Sequence, residues 1–158
     1  VHARTEVPVD DRVTAAELTA ELARVGADLM VDALQGGLDA GRPQPATGVT
    51  YAHKITAEDR RLDWMLPAVD VARIVRIGGA WTTFRGERLK LGPATGFGDA
   101  VRERLSPGEL RVTKARVEVG TATDPLVLGQ VQALGKKPMP AADWARGIRP
   151  GPGERLGA

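Results

Sequence analysis

At Gly78-Gly79 the spacing of apolar residues changes from three or four to two. Ahead of that pair, Val69, Val71, Ile74, Val75 and Ile77 fit a helix opened by Pro67, with Arg73 and Arg76 on its wetter side. Beyond it the pattern is that of strands. Residues 81–84 and 87–91 flank Arg85-Gly86 as a tight hairpin, and further strands are expected at 109–112, 114–121 and 125–132. Turn signals at Ser106-Pro107-Gly108 and Thr123-Asp124-Pro125 separate them. Several half-buried strands within about 50 residues are best satisfied by curling into a small barrel, which leaves few open edges. A closing helix over 141–146 follows, and the Gly/Pro-rich tail from Pro150 is expected to be mobile.

The front of the chain follows another plan. Residues 2–9 read as a short strand ending near Pro8, and Asp10-Asp11 as a turn. Thr14 with Glu17 forms a capping box, and Leu18, Leu22, Val25, Leu29, Met30 and Leu34 make one apolar helical stripe behind it, with Gly26 placed to kink or divide the helix. One strand and one amphipathic helix cannot close a core, so this segment must lean on something else. Gly41, Pro43, Pro45 and Gly48 interrupt any apolar period and mark an extended linker. Thr56 with Asp59 signals a second helix start, covering Arg60, Arg61, Asp63 and Trp64. The expected organisation is a front piece over 1–41, a linker over 42–55 and a domain over 56–158. With no initiator Met and a start in mid-pattern, the chain reads as a piece of a longer protein.

Residue types limit the chemistry. The 158 residues include no Cys and no Asn, a single Ser (Ser106) and two His (His2, His53). Disulfides, thiolate zinc sites and a Cys nucleophile are excluded. Ser106 sits in a turn, and two distant His cannot fill a zinc shell, so no catalytic or metal-ligating residue is assigned. No run approaches 18 apolar residues, so no membrane span is expected. Charge is unevenly divided. Residues 1–48 carry four basic and eight acidic groups, whereas residues 49–158 carry 18 basic and 12 acidic ones. The back of the chain therefore suits a polyanionic partner.

Tyr51-Ala52-His53-Lys54, Arg61-Leu62-Asp63-Trp64, Pro67-Ala68, Arg73-Ile74-Val75-Arg76, Gly79-Ala80-Trp81, Gly135-Lys136-Lys137-Pro138-Met139 and Asp143-Trp144-Ala145-Arg146-Gly147 occur in that order. Together they resemble the C-terminal part of the methionyl-tRNA formyltransferase family. The resemblance implies a mainly β fold with flanking helices: a small OB-like β-barrel domain preceded by a strand-helix remnant of an α/β, Rossmann-like formyltransferase domain. In that family the Rossmann-like domain holds the catalytic Asn, His and Asp, and the barrel holds the tRNA. The whole enzyme moves a formyl group from 10-formyltetrahydrofolate to the methionine amine of initiator methionyl-tRNA. The resemblance thus implies initiator methionyl-tRNA as partner, a catalytic domain in cis, a cytoplasmic monomer, and no folate bound or formyl transferred by this chain alone. A stand-alone RNA-binding module and the C-terminal domain of an amino-sugar N-formyltransferase are the alternatives.

The candidate RNA contacts are Lys54, Arg85, Arg88, Lys90, Lys136 and Lys137. Arg85 is at the hairpin tip, with Arg88 and Lys90 alternating behind it on one strand face. Lys136-Lys137 lies in a turn, and Lys54 just before the domain; the resemblance favours both as tRNA contacts. Arg73 and Arg76 are expected to pair with Asp70 instead. Asp59 and Asp63 read as caps rather than a catalytic pair. Trp64, Trp81 and Trp144 are expected as core anchors rather than base-stacking platforms, and Gly96-Phe97-Gly98 lacks the Lys-Ser/Thr of a phosphate loop.

Overall fold

A computed structural model describes residues 1–98 and 104–158. The chain forms two compact units, Val1–Ile55 and Thr56–Ala158.

In the first unit, α1 spans Ala15–Gln35. Its capping box is complete: Glu17 N donates to Thr14 Oγ1 at 3.3 Å, and Thr14 N to a Glu17 carboxylate oxygen at 2.8 Å. These bonds from Thr14 hold the Glu17 carboxyl below its ordinary pKa. The helix runs unbroken through Gly26, and none of its residues is buried. Leu18, Val25 and Leu29 are half-buried, while Leu22, Met30 and Leu34 are exposed. The expected strand over 2–9 does not form. A strand needs a neighbour to take up its backbone groups, and the described contacts here are Arg42 N donating to Val1 O at 2.9 Å, the Val1 amino group donating to Arg42 O at 2.7 Å, and His2 Nδ1 3.4 Å from Asp39.

The second unit begins with turns rather than the expected helix. Thr56 N donates to Asp59 Oδ2 at 2.7 Å, as a cap would. The chain then extends: Leu62 N donates to Trp81 O at 2.8 Å and Trp81 N to Arg60 O at 2.9 Å. The reason is the two-residue spacing of Leu62 and Trp64, both buried, which a helix would place on different faces. Next comes α2, Ala68–Ile77, with Pro67 as its N-cap and Val71 and Val75 turned into the core.

The described strands are β1 (Trp81–Phe84), β2 (Glu87–Leu91), β3 (Gly96–Phe97), β4 (Leu110–Val112), β5 (Val117–Val119), β6 (Leu126–Leu128), β7 (Gln130–Ala133) and β8 (Met139–Pro140); α3 spans Ala141–Ile148. They pair antiparallel in two four-stranded sheets, β1-β2-β7-β8 and β3-β6-β5-β4, and the expected barrel does not close among the described residues. The strand expected over 125–132 is split at Gly129, where the chain passes from one sheet to the other. A Cβ there would collide with the Pro93 carbonyl oxygen, so glycine permits the close crossing. Between β1 and β4 the edge is spanned by the tail. Leu110 N donates to Glu154 O, Leu156 N to Gly108 O and Gly157 N to Thr83 O, all within 3.1 Å. Leu156 is buried, so the tail expected to be mobile is tied down by these bonds and its own side chain.

Phe84, Leu89, Leu91, Val117, Val119, Leu126, Leu128, Val131 and Trp144 share the core between the sheets and α3. Phe84 and Trp144 meet edge to face, centroids 5.2 Å apart. Each such aliphatic side chain contributes about 1.5–3 kcal/mol by leaving water.

Candidate nucleic-acid interface

The β1–β2 hairpin turns at Arg85 and Gly86, both with positive φ (50° and 76°), the backbone that matches the twist of the strands. Its register then decides which side chains face outward. Thr82 and Phe84 are buried, as are Leu89 and Leu91, so Trp81, Thr83, Arg88 and Lys90 face outward. Across the ladder Trp81 stands opposite Lys90, Thr83 opposite Arg88, and Lys90 opposite Gln132. The expected sharing of one face by Arg88 and Lys90 holds.

Lys136 and Lys137 are exposed in the turn between β7 and β8. Lys136 N donates to Ala133 O at 3.1 Å, and Gln132 Nε2 to Lys136 O at 2.8 Å. Gln132 thereby links the turn to the strand that flanks Lys90. None of Arg88, Lys90, Lys136 and Lys137 has an acidic partner among the described residues.

Several other cations are engaged by carboxylates, while Lys114, Arg149 and Arg155 are exposed without a described acidic partner. Arg85 is tied to Glu154 by Nε and Nη2, at 2.6 and 2.8 Å. With a further bond from Gly151 N, this holds the Glu154 carboxyl down to about 2. Arg73 pairs with Asp70 at 2.7 Å, as expected, and Arg146 with Asp143 at 3.0 Å. Arg111 and Arg116 close on the buried Glu118, Nε to carboxylate oxygen 2.6 and 3.0 Å. Lys54 is exposed in the Val1–Ile55 unit.

Asp59 accepts from Thr56 and Asp63 from Met65 N at 2.9 Å, so both act as turn caps. No group of three or more His, Cys, Asp or Glu able to hold a metal occurs among the described residues. Of the three tryptophans, Trp64 and Trp144 are core anchors as expected, but Trp81 lies half-buried on the outer face. Arg88 Cζ stands over its ring 4.2 Å from the centroid, and Arg61 Cζ at 5.7 Å. The inward position of Phe84, three residues on, carries the signal: a period of two puts Trp81 outside.

Residues 54–149 match the formyl transferase C-terminal domain family. A methionyl-tRNA formyltransferase of Thermobifida fusca is 47% identical over 164 residues, spanning 99% of this chain and 52% of that protein. One from Streptomyces coelicolor is 51% identical over 151 residues, spanning 91% and 48%. The chain spans about half the length of the curated relatives it matches. Among solved structures, a HypX variant from Aquifex aeolicus superposes with a TM-score of 0.67 at 19% identity, over 94% of this chain and 27% of that one. HypX in complex with tetrahydrofolic acid gives 0.64 at 16% identity, with the same coverage. At those identities the likeness is one of fold.

Proposed function

The chain belongs to the formyl transferase family through its C-terminal domain, and from that premise we propose that it is the tRNA-holding part of a methionyl-tRNA formyltransferase. In this reading residues 56–158 are an OB-like tRNA-binding domain, 42–55 a tether carrying Lys54, and 1–41 the end of a Rossmann-like catalytic domain continuing in cis. The whole cytoplasmic enzyme, acting as a monomer, takes its formyl group from 10-formyltetrahydrofolate and passes it to the amine of initiator methionyl-tRNA.

The supporting observation is the clustering of cations around one sheet. Arg88, Lys90, Lys136 and Lys137 gather around one sheet with no acidic partner among the described residues, whereas Arg73, Arg85, Arg111, Arg116 and Arg146 are matched by carboxylates. Unmatched cations beside one another raise the local potential and attract a phosphate backbone, whose counterions they release. Such contacts set register and affinity and carry little sequence information. Formyl transfer itself needs a neutral amine, a group to take its proton and donors for the oxyanion at the formyl carbon. The chain, without any Asn, offers no constellation of that kind among the candidate residues.

Replacing Lys136 and Lys137 together by Ala tests the reading. The plot of log affinity for initiator tRNA against log salt becomes shallower by about one unit per lysine in contact, with the fold intact by circular dichroism. An unaltered slope removes the pair from the interface.

A further inference from the structure

Trp81 is held by elements far apart in sequence. Its indole Nε1 donates to Ala57 O at 2.7 Å, and the chain at Arg61 bridges to it in parallel. That bond fixes the ring, leaving its faces for other groups. Arg88 stands over it at 4.2 Å from the neighbouring strand and Arg61 at 5.7 Å from the bridging segment. The two guanidinium groups differ in what else holds them. Arg61 has Glu58 at 3.4 Å, whereas Arg88 is exposed and has no acidic partner among the described residues. Stacking, rather than ion pairing, therefore orients Arg88, and its N–H donors have no acceptor among the described residues. Lys90 stands opposite Trp81, setting a second cation beside the stack, and Thr83, opposite Arg88, donates its hydroxyl to Ala158 O at 2.9 Å.

A guanidinium carried on an aromatic ring is a flat cationic surface, the kind on which a nucleobase stacks. A phosphate alone would be served by converging donors without the ring. Bases in an A-form duplex are closed to such stacking, which leaves unpaired ones. We propose that the Arg88-Trp81-Arg61 stack seats an unpaired RNA base, with Lys90 meeting an adjacent phosphate. This deepens the tRNA reading and rests on it.

The test uses the 158-residue chain with an eight-nucleotide single-stranded RNA, an abasic oligomer of the same length and charge, and initiator tRNA. The unmodified chain binds the base-bearing oligomer about tenfold more tightly than the abasic one, within the range for one stacked base. Arg88→Lys keeps the charge, so the salt slope and the abasic affinity stay the same while the advantage of the bases falls severalfold. Trp81→Phe, which keeps a ring under Arg88, retains most of that advantage; Trp81→Leu loses it. Thermal melts and circular dichroism establish that each variant is folded. Equal binding of the two oligomers by the unmodified chain overturns the base seat, as does an Arg88→Lys chain that keeps the full preference. Binding of tRNA together with equal oligomer affinities removes the base seat alone, whereas failure to bind any of the three RNAs removes the tRNA reading beneath it.

Discussion

Arg85 grips both carboxylate oxygens of Glu154, Nε at 2.6 Å and Nη2 at 2.8 Å. Arg85 sits at the tip of the β1–β2 hairpin, and Glu154 opens the tail that spans from β1 to β4. One ion pair thus ties the hairpin of one sheet to the strap that reaches the other, and it does so with a bidentate geometry that fixes orientation as well as distance.

That pair makes a pH-dependent contribution. The Arg85 guanidinium, with Gly151 N, lowers the Glu154 carboxyl to about 2. A carboxyl lowered on folding stabilises fully above its unfolded pKa of about 4.3, and the contribution is lost as pH falls toward the folded value. Glu154→Gln therefore lowers the melting temperature at pH 7, and its deficit against the parent shrinks as the pH is taken from 5 to 2. A deficit that stays constant over that interval contradicts the assignment.

Glu118 is 1% exposed and is held by Arg111 and Arg116. The costly direction is the one that leaves a buried charge without its partner, about 3–5 kcal/mol. Arg111→Ala, which leaves the Glu118 carboxylate buried, therefore costs about 3 kcal/mol by urea denaturation, whereas Glu118→Gln leaves only arginines open to water and costs less. Arg111→Ala costs more than Arg116→Ala, because Arg111 is the less exposed (25% against 52%). The reverse order would count against the pairing as described.

Two glycines separate crowding from chain entropy. A Cβ at Gly129 meets the backbone carbonyl of Pro93, so Gly129→Ala destabilises by about 1–3 kcal/mol as an overpacked site. Nothing lies within 4 Å of a Cβ at Gly147, inside α3, so Gly147→Ala stabilises by about 0.5–1 kcal/mol. Opposite signs in thermal denaturation are expected; a Gly129→Ala chain as stable as the parent contradicts the crossing at Gly129.

Elements set by local pattern were legible in the sequence. The Thr14–Glu17 box opens α1, Pro67 opens α2, and Arg85-Gly86 turns the hairpin. What local pattern missed depends on partners distant along the chain. Thr56 and Asp59 make the bonds of a helix cap, yet Leu62 pairs with Trp81 and draws the following residues into extended form. The tail looked mobile from its glycines and prolines, but Leu156 reaches the core and its backbone bonds to Gly108. Residues 2–9 have strand-like composition and no strand beside them. Alternation predicted the shared face of Arg88 and Lys90. An aromatic content of only 4% favours Trp81 as a core residue, yet the same alternation, counted back from Phe84, turns it outward.

The proposed tRNA seat is the set of cations around the β1-β2-β7-β8 sheet that have no acidic partner among the described residues. Titrating the 158-residue chain with initiator tRNA across a salt series addresses it most directly. Four cations neutralising the RNA backbone predict a straight line of log affinity against log salt with a slope of roughly −3 to −4. A slope near zero, or no binding at the lowest salt, would contradict it.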